Sequence, residues 1–211
     1  MYRIVLTLLL LQSALPAGQE PTAQRATLVL STVKRGDLVQ MVRGLGVLKE
    51  ERIAEVRIME LQPNRVEVGK TAVVDTRLGT IKGQVSRVTR EAGDGPALIE
   101  VRLDGAPPRG VTAGQTIDGT IHLLTLKDVL YVGGPTDRLS VLEQQSGSVF
   151  RLEDGGEHAV RGTVEFGLTG RSAGETRFDK VVEIRSGLRA GDTVIVSDMS
   201  AFHGKDRVRL Q

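Results

Sequence analysis

Leu188-Arg189-Ala190-Gly191-Asp192-Thr193-Val194-Ile195-Val196 reads as a tight glycine turn that launches a strand. Gly191 can take the positive φ that other residues resist, and Val194-Ile195-Val196 is a β-branched run that favours an extended chain. The same order occurs twice earlier, in Val68-Gly69-Lys70-Thr71-Ala72-Val73-Val74 and in Ala113-Gly114-Gln115-Thr116-Ile117. Each copy is a glycine, one polar residue, a threonine and then apolar residues. Their unequal spacing does not fit a solenoid or propeller repeat. Three uses of one strand-entry device imply an all-β chain, with Gly69, Gly114, Gly187 and Gly191 as structural turn glycines.

Working outward, residues 50–124 give five or six short strands at roughly ten-residue spacing, separated by Gly/Pro turns. That pattern predicts a small antiparallel β-barrel or sandwich. Ile81, Gly83 and Val85 alternate with Lys82, Gln84 and Ser86; Val88 falls on the opposite parity, which predicts a β-bulge near Arg87. Ile99, Val101 and Leu103 face inward, and Ile117, Gly119, Ile121 and Leu123 close this half with clean alternation. Gly83 and Gly119 lie on the inward face, where a small closed barrel needs room for neighbouring backbone. Leu61-Gln62-Pro63-Asn64 and Ala92-Gly93-Asp94-Gly95-Pro96 read as turns.

On either side lie further strands. Residues 27–33 and 38–48 flank Lys34-Arg35-Gly36-Asp37, which reads as a turn, so its Arg-Gly-Asp tripeptide carries no adhesive meaning. Residues 129–132, 148–152, 158–166, 181–184, 193–196 and 207–210 complete the set, with Asp154-Gly155 marking a hairpin. Residues 139–145 are the one short segment with helical character, and 168–176 read as a polar loop. No sustained 3.6-residue or heptad period occurs, so no long helix is expected.

Composition excludes several functions. The 211 residues carry a formal net charge of +2, which does not suit duplex nucleic acid. Aromatic residues make up 3% and Trp is absent, so there is no stacking platform for single-stranded bases or sugars. The absence of cysteine removes disulfides, thiolate catalysis and Cys-based metal sites together. Met1-Tyr2-Arg3, the apolar run 4–11 and Ser13-Ala14-Leu15-Pro16-Ala17-Gly18 have the layout of a secretory signal peptide over residues 1–20, with cleavage open between Ala14 and Ala23. A retained membrane anchor is the alternative, although Gln12, Ser13 and Pro16 interrupt the run early.

No catalytic, cofactor-binding or metal constellation is found. Gly69-Lys70-Thr71 resembles the tail of a phosphate-binding loop, but Asn64 stands where that motif needs glycine and β-branched residues follow where it needs a helix. Gly167, Gly170 and Gly174 do not match a dinucleotide fingerprint. His122, His158 and His203 are far apart, none has a second ligand at metal spacing, and each reads as a solvated surface residue. No Gly-x-Ser-x-Gly elbow is present, and Glu50-Glu51 and Glu153-Asp154 fall in turns or seams.

Five stretches in this order resemble the periplasmic adaptor subunits of efflux and secretion systems, the membrane fusion proteins of HlyD type. They are Val33-Lys34-Arg35-Gly36-Asp37-Leu38-Val39 with Gly44-Leu45-Gly46, Val68-Gly69-Lys70 through Asp75-Thr76-Arg77, Gly83-Gln84-Val85-Ser86-Arg87-Val88, Asp128-Val129-Leu130-Tyr131-Val132, and Gly187 through Asp192 continuing to Ser197-Asp198-Met199-Ser200. The resemblance implies a β-barrel domain over 50–124 and a membrane-proximal β domain in two segments, 26–49 and 125–211. It also implies a non-enzymatic protein of the periplasm, on the outer face of the inner membrane. Its partner would be an inner-membrane transporter, either an ABC-type permease or a proton-driven pump, and it would form homo-oligomers or hetero-oligomers with a full-length adaptor.

One departure is plain. Such adaptors insert a lipoyl-like domain and a long helical hairpin between the first membrane-proximal strand and the barrel; here Leu48 and Ile53 are separated only by Lys49-Glu50-Glu51-Arg52. The resemblance therefore implies a shortened adaptor that does not reach an outer-membrane channel alone, whether working or relic. The alternative function is a stand-alone periplasmic carrier that holds a small ligand inside the barrel. Its difficulty is that Val85, Val101 and Ile121 would fill a small barrel. A hydrolase, the third option, lacks any nucleophile–base pattern.

Overall fold

The computed structural model describes residues 20–59, 65–90 and 95–211. The expected signal peptide, apart from Glu20, lies outside the described residues, as do the turn at 61–64 and most of the loop at 92–96. The mainly β class is what the chain adopts. In order, the elements are β1 Thr22–Ala23, β2 Leu30–Thr32, β3 Lys34–Glu50, β4 Ile53–Ile58, β5 Thr71–Asp75, β6 Thr80–Arg90 and β7 Ala97–Leu103. They continue with β8 Thr116–Gly134, α1 Thr136–Leu142, β9 Ser146–Glu153, β10 His158–Gly170, β11 Lys180–Ser186, β12 Thr193–Ile195 and β13 Arg207–Leu210.

Two long strands organise everything else. β3 and β8 run antiparallel over nearly their whole length, from Lys34↔Tyr131 to Val47↔Thr116. At one end they belong to a closed antiparallel ring in the order β8-β3-β4-β7-β6-β5, with β5 pairing back onto β8. At the other end β8 continues into an open sheet through β11, β10, β9, β12 and β2. The ring therefore draws on residues on both sides of position 50.

One expected turn is absent. Lys34-Arg35-Gly36-Asp37 is the start of β3, and its partner β8 runs unbroken from Thr116 to Gly134. Lys34, Arg35 and Gly36 pair with Tyr131, Leu130 and Val129 across the ladder. The charged residues that suggest a turn find partners elsewhere in the chain instead: Lys34 Nζ lies 3.2 Å from Glu175, Arg35 Nε 2.9 Å from Asp128, and Asp37 2.6 Å from Lys127 Nζ. A register shift between Gly36 and Leu38, with Asp128 at a φ of 52°, absorbs the irregularity while leaving the strands continuous.

The ring is filled by its own side chains. Val56, Val85, Val101, Ile117 and Ile121 belong to one buried apolar cluster that includes residues from every ring strand. Backbone comes close where the bulk is least: a Cβ at Gly46 would collide with the Glu55 carbonyl, and one at Gly119 with the Val56 side chain. The bulge expected near Arg87 is present, as the register between β6 and β7 shifts between Val85 and Arg87. A second cluster, including Leu139, Val164, Phe166, Val182 and Val194, packs the short helix α1 onto the open sheet. The helix sits at 136–142, slightly earlier than the 139–145 read from the sequence. The expected loop at 168–176 begins later than read, because β10 persists to Gly170 and Arg171 bridges to Val39.

Candidate functional site

The three copies of the glycine device share one hydrogen-bonding pattern. In each, the residue after the glycine donates to a carbonyl three positions back: Lys70 to Glu67 at 3.3 Å, Gln115 to Thr112 at 3.2 Å, Asp192 to Arg189 at 3.1 Å. Gly69, Gly114 and Gly191 have φ of 87°, 88° and 94°. The preceding Val68, Ala113 and Ala190 keep negative φ, and a β-turn with positive φ at its third residue alone is a type II turn, which explains why glycine stands there. Each turn then docks on one buried residue of a neighbouring strand. The glycine N–H donates to the carbonyl of Val85, Leu48 or Val33 at 2.8, 2.7 and 2.9 Å. The N–H of that same residue returns to the carbonyl after the glycine at 2.9, 3.0 and 2.8 Å. Strand entry and strand docking are thus one event. At Gly191 nothing lies within 4 Å of an added Cβ, so Gly191→Val adds only conformational strain. We expect a loss of about 1 kcal/mol or more, read by urea unfolding; an unchanged midpoint would contradict the assignment. Gly187, with a φ of 94°, is a different case: a Cβ there would meet the Thr163 carbonyl.

Among the described residues no group of three or more His, Cys, Asp or Glu could hold a metal ion. His203 is exposed and His122 half-buried on β8. His158 departs from the solvated position expected of it. Its side chain is 18% exposed, with Nε2 at 3.4 Å from Glu20 and Nδ1 at 3.3 Å from Asp154. Arg207 spans the same two carboxylates at 3.1 and 2.8 Å. The cause is crowding: β10 receives β9 on one side and β13 on the other at this point.

The seam at 49–52 closes as a tight hairpin. β3 pairs with β4 from Leu45↔Arg57 to Glu50↔Ile53, leaving Glu51 and Arg52 as the connecting turn. The ring is continuous across the point where the family resemblance implies an inserted arm.

A cleft of about 580 Å³ lies between the ring-side half of β3 and α1. Gln40, Arg43, Arg65, Glu143, Thr169 and Arg171 line it. These residues come from separate parts of the chain, and sequence reading does not assemble them. The one local signal is Gln40, a polar residue on the buried parity of Leu38 and Val42.

Carboxylates tied to neighbouring donors are held below their usual range. Asp37 is lowered first by the hydrogen bond from Lys127, then by the Asp128 N–H; Asp128 is lowered by its hydrogen bond from Arg35. Glu175 is the buried instance, its side chain 4% exposed. Burial raises its pKa, but N–H groups of Arg177 and Phe178 together with Lys34 at 3.2 Å outweigh that and lower it. A carboxylate with a folded-state pKa below its unfolded value stabilises the fold above the unfolded pKa, and the stabilisation is lost as pH falls through the folded value. Glu175→Gln should therefore melt below the unmodified protein at pH 7, and the gap should narrow as pH drops below the ordinary value of 4.5. A constant gap from pH 7 to pH 3 would contradict this reading.

No helix among the described residues is long and apolar enough to cross a membrane. No protein-family model and no curated protein matches the chain. Among solved structures it is similar to MacA from Actinobacillus actinomycetemcomitans, at 18% identity and a TM-score of 0.44 over 69% of this chain and 42% of that one. It is also similar to ZneB from Cupriavidus metallidurans, at 18% identity and a TM-score of 0.31 over 70% of this chain and 41% of that one. The chain spans less than half the length of either.

Proposed function

We propose that this chain is a non-catalytic, adaptor-like subunit of an efflux system, exported to the periplasm and docked on an inner-membrane transporter. The observation that carries the reading is where the resembling motifs fall. The stretches 33–39 and 128–132 lie on the adjacent strands β3 and β8, 68–77 and 83–88 on the β5–β6 hairpin, and 187–200 on the turn and strand that dock on Val33. A set of motifs scattered in sequence is thus linked by the two strands common to the ring and the open sheet. In this reading the barrel domain is 50–124 completed by β3, and the membrane-proximal part is formed by 26–49 and 125–211.

The two-residue turn Glu51-Arg52 stands where adaptors of this type carry their lipoyl-like domain and helical hairpin. The chain accordingly serves the pump end of such an assembly and leaves the outer-membrane channel to another subunit, either further copies of itself or a full-length adaptor. Leu45, Leu78 and Val141 are exposed apolar residues on the ring and on α1, which makes them suitable reporters. A photoreactive residue at each position, activated in intact cells, should trap a polytopic membrane protein from at least one. Cross-links to soluble proteins alone from all three would count against the proposal.

A further inference from the structure

The cleft beside α1 carries a charge imbalance that the fold itself does not use. Its floor is built and fixed. Gln40 is 9% exposed and Thr169 5% exposed. The Glu143 carboxylate accepts from Thr169 Oγ1 at 3.0 Å, from the Thr169 N–H at 3.4 Å and from Gln40 Nε2 at 3.4 Å. Arg65 Nη1 donates to Gln40 Oε1 at 3.0 Å, so the amide is held from both ends.

Around this floor stand four cations, Arg43, Arg65, Arg171 and Lys180, against the acids Glu143 and Asp179. Glu143 keeps its charge, but its oxygens face the three donors of the floor, and among the described residues it forms no ion pair with the arginines at the rim. Among the described residues neither the Arg43 nor the Arg171 guanidinium has an acceptor, and Lys180 donates only to the Ser140 hydroxyl at 3.0 Å. Arg171 is nevertheless well placed, since its backbone exchanges two 2.8 Å hydrogen bonds with Val39. Met41, Val42 and Leu123 add apolar lining to the same cleft.

We infer that this cleft binds a small organic anion with a phosphate or carboxylate head and an apolar body. Planar guanidinium groups match such heads through paired hydrogen bonds. A volume of about 580 Å³ falls within the range of small-molecule sites. Four cations against two acids disfavour a cationic ligand. The occupant would touch β3, α1 and the end of β10 together, so it would tie the ring to the open sheet. The site stands apart from the adaptor reading and survives its failure.

Phenyl phosphate, inorganic phosphate and benzyltrimethylammonium serve as probes of the full chain at low salt. Amide NMR titration should show saturable shifts at Gln40, Thr169 and Arg171 with phenyl phosphate, and none with the ammonium. Inorganic phosphate should bind at least about tenfold more weakly, because it leaves the apolar lining unused. Arg43→Gln combined with Arg171→Gln should weaken phenyl phosphate by about tenfold or more, whereas Asp179→Asn should tighten it. Arg109→Gln, an exposed change in the connection between β7 and β8, should leave it unchanged. Absence of saturable shifts, equal binding of the two phosphates, or an equal loss with Arg109→Gln would overturn the assignment.

Discussion

Replacing Gly187 with valine should destabilise the protein by about 3 kcal/mol or more, the sum of two separate costs. The first is a φ of 94°, which β-branched residues resist. The second is contact with backbone: an added Cβ would press on the Thr163 carbonyl and come within 3.0 Å of the Val164 Cα. Neither atom belongs to a side chain that can rotate away. At about 2–4 °C per kcal/mol for a chain of this size, the melting temperature should fall by roughly 6–12 °C. Gly191→Val is the control, since it has the same φ but open space. A Gly187 variant no worse than the Gly191 variant would show that the β10 backbone yields, and the close packing of Gly187 on β10 would have to be abandoned.

Ile121→Ala should cost about 2–5 kcal/mol, the range for deleting a buried branched side chain in a core that does not collapse. Ile121 is fully buried in the ring cluster. It pairs with Val42 on one side and Ala72 on the other, so the strands that would have to close the gap are hydrogen-bonded in place. This result also separates two functions. A ring that carried a ligand would have slack around its inward residues and would lose less. A loss under about 1 kcal/mol, read by urea unfolding, would favour the carrier.

Local chemistry was legible in the sequence because it is local. The type II turns at Gly69, Gly114 and Gly191 follow from a glycine followed by a polar residue and threonine. The bulge beside Arg87 follows from the parity change between Val85 and Val88. What the sequence concealed depends on contacts between distant residues. Lys34-Arg35-Gly36-Asp37 has turn composition, yet its backbone pairs with Tyr131, Leu130 and Val129, and Glu175, Asp128 and Lys127 answer its charges. His158 has no unusual sequence neighbours, and it leaves solvent only because β9 and β13 both pack on β10 there, with Glu20, Asp154 and Arg207 gathered around it. The cleft was hidden for the same reason, as Gln40 and Glu143 are 103 positions apart.

Affinity capture of the tagged chain from detergent-solubilised membranes of its own cells tests the adaptor assignment most directly. An inner-membrane permease should be retained in amounts comparable to the bait, and it should be lost with the unstable Gly187→Val variant. Recovery of the folded protein alone, under detergent conditions that preserve other membrane complexes, would contradict it.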